Sequence, residues 1–320
     1  MIMPDTVVIQ KVVLAGKGRL GSIVLEELLE AGFDVKILTR SAASLKDVPE
    51  GIAVSEVDYS SVGSLLQAIN GYDAVVSTVS GPALSLQKPL IDASIAAGIK
   101  HFIPAEYAVS TKTKNGPKLR TLPPYVAVTE IYKYLEGRSD KLQWTVVAPG
   151  GFLEYSFDLP FIVDFKNRKM DIIDGGEIET SISSFRTTAK AIVGVFKQPG
   201  RVVNRCVQVH DTVITQKKIW DIIMKSDPKP ETWTVVQLDS ASRLAEGRER
   251  IMAGDYSMEA ISFMMAGAYF SRDYQNYFAE NDNDWLGIEM APKETLEELV
   301  KLKTIDGISG IASEQIVDHA

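Results

Sequence analysis

Cys206 is the only cysteine in 320 residues, and His101, His210 and His319 are the only histidines. A lone thiol excludes an intramolecular disulfide framework and fits a reducing compartment. Histidines this far apart, with no cysteine cluster beside them, argue against a transition-metal site, so no metal is expected. Basic charge is also scarce: 34 Lys and Arg against 42 Asp and Glu leave a net charge of -8. A general nucleic-acid binder needs a basic surface to displace counterions, so no nucleic-acid partner is expected. No apolar run approaches the about 18 residues of a membrane span; the longest, Ile261 to Phe270, is too short. The opening MIMPDTVVIQKVV lacks the basic and long apolar regions of a signal peptide,. No G-x-S-x-G elbow is present, which argues against a hydrolase of that type. The expectation is a cytoplasmic protein acting on a small molecule, away from membranes, with its oligomeric state open.

A composition of 45% hydrophobic and 24% charged residues suits a chain that buries a full core without metal or disulfide staples. From Lys11 to about Gly151, short apolar runs alternate with segments of helical period, the pattern of βαβ units around a parallel sheet,. The runs are Val12–Ala15, Val35–Leu38, Ile52–Val57, Ala74–Thr78, His101–Pro104 and Trp144–Ala148; the helical segments are Leu20–Leu29, Val62–Ile69, Gln87–Ala97 and Val128–Leu135. Ser60 or Ser61 caps the helix at Val62, and Gly32, Gly71 and Gly98 follow helix ends,. The expected fold class is α/β, a doubly wound parallel sheet over residues 1–153. A smaller α/β substrate-binding domain follows over 154–320, from which about 201–225 returns to the sheet: a strand at Arg201–Val209 and a helix at Gln216–Met224,. A further helix is expected over Ser257–Phe278. Its methionine and aromatic stripe reads first as core packing, part of which could line a pocket,.

The segment Gly16-Lys-Gly18-Arg-Leu-Gly21 sets G-x-G-x-x-G between the first strand and a helix. Gly16 allows the tight turn, Gly18 lets the backbone approach a pyrophosphate, and Gly21 lets helix and strand pack closely. The helix amino terminus then offers free N–H groups to the phosphates. Ser22 stands where a mononucleotide P-loop needs lysine,. Arg40 ends the second strand, where an NAD site would place a carboxylate on the ribose; a guanidinium suits a 2′-phosphate, so NADP(H) is the expected cofactor,. Arg19 and Lys46 add positive charge or are solvated surface.

With Thr39-Arg40-Ser41, Val57-Asp58-Tyr59-Ser60, Asp73-Ala-Val-Val-Ser77-Thr78, His101-Phe-Ile-Pro104-Ala-Glu106-Tyr107, Trp144-Thr-Val and Gly150-Gly-Phe152, the amino-terminal half resembles the NmrA-like and isoflavone-reductase-like branch of the atypical short-chain dehydrogenases, nearest its fungal secondary-metabolism members. Asn281-Asp-Asn-Asp-Trp-Leu-Gly287 resembles the same family's tail. The resemblance implies a Rossmann fold that binds NADPH through the loop residues Gly16, Gly18, Arg19, Leu20 and Gly21, together with Arg40 and Lys46. Substrate is implied to lie between the sheet edge and the smaller domain, with Ser77, Thr78, Pro104, Ala105, Glu106 and Phe152 near the nicotinamide half.

One departure bears on the chemistry. Aligning Ile131 and Tyr134-Leu135 to the family pattern puts Val128 where its reductases carry a lysine, and no Tyr-x-x-x-Lys pair occurs in the chain. Tyr132, four positions from Val128, then Tyr107 and Glu106, are the candidates for proton transfer. Loss of the lysine suits an electrophile that accepts hydride without a strong acid. The leading expectation is therefore an NADPH-dependent oxidoreductase delivering hydride to a C=C, C=N or C=O centre of an apolar, aromatic or polycyclic natural-product intermediate. A cofactor-bound cyclase or pericyclic catalyst of the Diels-Alderase kind, and a non-enzymatic NADP(H)-sensing regulator, are the alternatives. The lysine-rich Lys112 to Lys118 segment reads as surface loop or as a flap over the cofactor,.

Overall fold

The computed structural model describes residues 7–107 and 116–306, so His319 and most of the lysine-rich segment lie outside the described residues. Twelve strands form three sheets: β1 Lys11–Ala15, β2 Asp34–Thr39, β3 Ala53–Glu56, β4 Ala74–Ser77, β5 His101–Ile103, β6 Gln143–Ala148, β7 Gly151–Phe152, β8 Lys169–Ile173, β9 Thr180–Ser183, β10 Arg205–Gln208, β11 Thr212–Ile214 and β12 Thr234–Leu238. Between them run α1 Arg19–Glu30, α2 Val62–Ile69, α3 Gln87–Ala96, α4 Gly116–Leu119, α5 Val126–Glu136, α6 Leu153–Asp158, α7 Phe185–Lys197, α8 Gln216–Ser226, α9 Ser240–Met252, α10 Met258–Tyr269, α11 Asn283–Leu286 and α12 Lys293–Asp306.

The main sheet has seven strands in the order β10-β6-β5-β4-β1-β2-β3, and its pairings are parallel. The first six strands follow the doubly wound order with its reversal at β1 and β4, where ligands of such folds enter,. Helices cover both faces, which is why β1 and β4 read as unbroken apolar runs: Val12 to Ala15 and Ala74 to Val76 are wholly buried,. On one face α1 and α7 pack Val24, Leu28, Ile192 and Phe196 against the sheet; on the other α2, α3 and α5 contribute Leu65, Ile91, Ile131 and Leu135. Ser61 is the residue that caps α2, its side chain accepting from the Ser64 N–H,.

The second part of the chain builds a three-stranded sheet, β11-β9-β7, and a two-stranded one, β12-β8. Here the return to the main sheet differs from the expectation. It begins with α7, capped by Ser184, and ends with β10 on β6, spanning 185–208 rather than 201–225. The strand starts late because Asn204 adopts φ +54°, a turn its side chain secures by donating to the Ser139 carbonyl at 3.0 Å,. Helix α8 instead buries Ile219 and Ile223 with Met170, Ile173, Leu296 and Leu299, away from the main sheet. The helix expected over Ser257–Phe278 stops at Tyr269. Beyond it the Ser271 side chain takes the Tyr274 N–H at 3.2 Å, a local bond that competes with the helical ladder,. The following residues cross β9, where the Phe278 N–H donates to Ser181, and deliver Phe278 to the main core.

The tail motif has a structural role. Asp282 accepts from the Gln208 N–H at 2.9 Å, from both terminal nitrogens of Arg205 at 3.1 Å and from the Trp285 indole at 2.9 Å. It thereby fastens the segment before α11 to the outermost strand, β10. Asp282→Ala is expected to destabilise the fold by about 2 kcal/mol, because it strands several donors at once; a urea midpoint equal to that of the wild type would refute the bracing role.

Candidate functional site

The carboxyl ends of β1 and β4 meet at the glycine loop. Gly16 turns with φ +99°, and its carbonyl accepts from the Thr78 hydroxyl at 2.6 Å. A Cβ on Gly21 would overlap that carbonyl and hydroxyl, whereas one on Gly18 would meet nothing within 4 Å. The loop is thus packed flush on the protein side and open on the other. Helix α1 begins there with no side-chain cap and no acidic residue in its first turn. Uncapped N–H groups above an open cradle fit a pyrophosphate. Leu20 is packed inward on the core. Arg19 reaches the other way: its guanidinium lies 5.0 Å from the Tyr155 ring centroid and 3.2 Å from Asp158, spanning from loop to α6.

Arg40, at the end of β2, lines a shallow hollow of about 490 Å³ with Asp58, Tyr59, Ser60 and Leu86. Two carboxylates near it are already engaged: Glu56 accepts from the Ala42 N–H at 2.8 Å, and the Ser60 hydroxyl and N–H hold Asp58 below the usual carboxylate range. Lys46 does not line the hollow; its carbonyl accepts from the Lys17 ammonium at 2.7 Å.

A second, mainly apolar cavity of about 210 Å³ opens where the two parts of the chain face each other. Tyr107, Gly150, Gly151 and Phe152 come from the edge of the main sheet; Tyr155, Leu159 and Phe161 from α6 and beyond; Ile261, Met265 and Tyr269 from α10. Among the described residues no Lys, Arg, His, Asp or Glu lines it. Part of the aromatic stripe therefore is pocket wall, while Met264 and Phe270 are core. Tyr125 closes the cavity, and its hydroxyl is hydrogen-bonded to that of Tyr269. Burial raises Tyr125 well above its ordinary value and pushes Tyr269 up to about 12, so both stay neutral donors,.

The nicotinamide-side candidates fall along the adjoining strand ends. Ser77 is fully buried at the end of β4, and Pro104 and Ala105 follow β5, the Ala105 N–H donating to Gln87 at 2.7 Å. Of the acid–base candidates, Tyr107 lines the cavity with its hydroxyl donated to the Ser77 carbonyl at 2.8 Å, and burial raises its pKa. Glu106 is buried behind the cavity and paired with Arg120. Tyr132 packs edge-on against Trp144, ring centroids 5.3 Å apart, with the Arg120 guanidinium 4.8 Å from its centroid. Val128 packs elsewhere, with Leu119, Leu122, Tyr125 and Tyr269, so the two residues do not share surroundings. His101 is buried, bonded to Thr145 at 2.8 Å, and pushed down to about 4 by burial, a neutral structural residue. Among the described residues no group of three or more His, Cys, Asp or Glu could hold a metal, and no helix is long and apolar enough to cross a membrane.

Sequence reasoning missed Tyr125, gave Tyr269 no role beyond the stripe, and passed over Glu154. Glu154 is buried at the start of α6, its Oε1 accepting from the Phe185 N–H at 2.8 Å and its Oε2 without a hydrogen-bond partner among the described residues. Desolvation pushes its carboxyl up to about 7.

Residues 15–199 match the NAD(P)H-binding family model. An Aspergillus flavus protein described as oxidoreductase aprR is 27% identical over 91% of this chain and 97% of its own length. The isoflavone reductase homolog P3 of Arabidopsis thaliana is 24% identical over 62% of this chain and 67% of its own. In three dimensions, the leucoanthocyanidin reductase of Vitis vinifera, solved as a binary complex with NADPH, superposes with a TM-score of 0.67 at 17% identity, over 92% of this chain and 99% of that one.

The buried carboxyl gives a pH prediction. A pKa raised from 4.5 to about 7 on folding means that the native state holds this proton more tightly than the unfolded chain does. The associated stability is present below pH 4.5 and is lost as pH rises to 7,. Glu154→Gln keeps the acceptor for Phe185 without the charge, so its stability should rise relative to the wild type across that window, by up to about 3 kcal/mol. Parallel urea curves at every pH would rule this out.

Proposed function

The chain belongs to the NAD(P)H-binding family, and from that premise we propose that it is an NADPH-dependent oxidoreductase that reduces an apolar, aromatic or polycyclic intermediate of natural-product biosynthesis at a C=C, C=N or C=O centre. The observation that carries the reading is the cavity beside the candidate nicotinamide-side residues, walled by aromatic and aliphatic groups and, among the described residues, free of ionised side chains. Burying a charged substrate there would leave it unpaired, so an uncharged or charge-delocalised molecule is the one that fits. A regulator that only senses the cofactor has no need of such a cavity.

When bound, the reduced nicotinamide supplies a hydride. The chain's own residues do the rest. The glycine loop and the start of α1 bind the pyrophosphate, Arg40 selects the 2′-phosphate, and Phe152 with Gly150 and Gly151 forms the floor on which the substrate lies against the cofactor. Arg19, drawn from the loop to Tyr155 and Asp158, stands across the approach between the two ligands. Substrate seated on the apolar lining would displace water from the reacting atoms, which protects a reactive electrophile such as an iminium and strengthens every dipole aimed at it.

The test is to follow NADPH consumption against an apolar panel: menadione, N-benzylideneaniline, benzylideneacetone and a dihydroisoquinolinium salt. Oxidation of NADPH with at least one of them, at matched substrate conversion, is expected; conversion of a substrate without cofactor consumption would indicate cyclase chemistry instead, and no conversion of any would overturn the reading. Arg40→Ala should weaken NADPH binding by about ten- to a hundredfold while barely touching NADH. Equal losses for the two cofactors in calorimetric titration would remove Arg40 from the 2′-phosphate.

A further inference from the structure

Two hydroxyls in the lining of the cavity are paired with each other. Tyr125 precedes α5 and Tyr269 ends α10, and their hydroxyl oxygens are hydrogen-bonded to each other. Two phenols hold two protons, and the bond between them uses one. The second O–H has no acceptor among the described residues, and both side chains line the cavity. A buried donor left unsatisfied is costly, so the place it faces is one where a ligand's acceptor atom is stabilised. Of the other hydroxyls in the lining, the Tyr107 proton is spent on the Ser77 carbonyl, while Ser156 on α6 and Ser262 on α10 are single hydroxyls without a second one bonded to them among the described residues.

We propose that the Tyr125–Tyr269 hydroxyl pair is the hydrogen-bond-donating site of the cavity, and that it takes the carbonyl oxygen or imine nitrogen of an otherwise apolar substrate. The proposal rests on reading the cavity as the substrate site. Tyr269 and Tyr125 act as a coupled donor. The hydroxyl facing the ligand is itself held by the second hydroxyl, which polarises it and fixes its direction without a formal charge. Val128 packs against the cluster of buried residues that contains both rings. The donor function therefore lies beside the position that in related reductases is lysine, carried by neutral groups. The bond polarises the acceptor; it transfers no proton, in keeping with phenols whose ionisation burial suppresses,.

The experiment uses 4-nitrophenol as an oxyanion probe, titrated into the NADP+-saturated full chain across pH and read by the absorbance of bound phenolate. A donor pair holds the phenolate more tightly relative to the neutral phenol, so Tyr269→Phe and Tyr125→Phe, each of which keeps the ring, should lower that preference by about tenfold or more. A rim of packing alone would leave the preference unchanged, since both variants preserve shape. Unchanged phenolate preference in both variants, or no binding of the probe by the wild type, overturns the proposal. The readout is independent of hydride transfer: phenolate binding that depends on the two hydroxyls supports the donor site even if no panel electrophile consumes NADPH. NADPH consumption with phenolate preference intact in the Phe variants defeats the donor site alone.

Discussion

The architecture turns on one crossing, the passage Pro149–Gly150–Gly151 where β6 hands the chain from the main sheet to the second one. Gly150 takes φ +76°, and a Cβ there would run into the Ser181 carbonyl, so the two sheets approach as backbone on backbone. The Ser183 hydroxyl is within hydrogen-bonding reach of the Pro149 carbonyl at 2.8 Å and the Val209 carbonyl at 3.2 Å, tying β9 to the carboxyl ends of the neighbouring main-sheet strands β6 and β10. Because β7 pairs with β9 directly after this crossing, Phe152 is set at the main sheet's carboxyl edge while belonging to the second sheet. The cavity exists because one strand end serves both sheets.

Charge is distributed around that cavity and kept out of it. Asp158 takes Arg19 from the glycine loop at 3.2 Å and Lys303 from the last helix at 2.6 Å, joining three distant segments at the mouth. Glu106 and Arg120 neutralise each other in a buried pair. Removing one member of such a pair leaves an uncompensated charge in a low-dielectric interior, so the two must stay matched. What faces the ligand is rings, methyls and neutral hydroxyls, a setting in which a single aimed dipole counts for more than it would in water.

Much of this was readable in advance, for physical reasons that also mark where reading stopped. The strands of the main sheet are buried on both faces, so β1, β4 and β6 announce themselves as apolar runs, and the glycine loop is a local motif whose spacing carries its geometry,. The return segment was misplaced because α7 was passed over, although Phe185, Ala189, Ile192, Val193 and Phe196 keep a helical period; of the positions from Thr187 to Phe196 only Lys190 is not buried,. The stop of α10 depends on Ser271 taking the Tyr274 N–H, a choice made by one side chain. Tyr132 was favoured from helical spacing alone. Spacing says which residues share a helix face, but not that α5 would turn Tyr132 onto Trp144 and Val128 onto Tyr125 and Tyr269. The Tyr125–Tyr269 bond joins residues 144 positions apart, and no local pattern encodes it.

The valine and the tyrosine pair are two sides of one constraint. An ammonium at position 128 would lie against the apolar cluster that holds Leu119, Leu122, Leu244, Tyr125 and Tyr269, with no carboxylate among the described residues of the nearby cavity lining to pair with it,. A carboxylate added to pair with it would bring charge into the wall and exclude the apolar ligands that the wall otherwise suits. Neutral phenols escape that regress. Bonded to each other, they would offer the one remaining proton to a ligand's acceptor, and they need no counter-charge. What they give up is acidity, since burial raises both. A site of this kind suits an electrophile already reactive enough to take a hydride when its acceptor atom is held and polarised, and it disfavours one that must be protonated first.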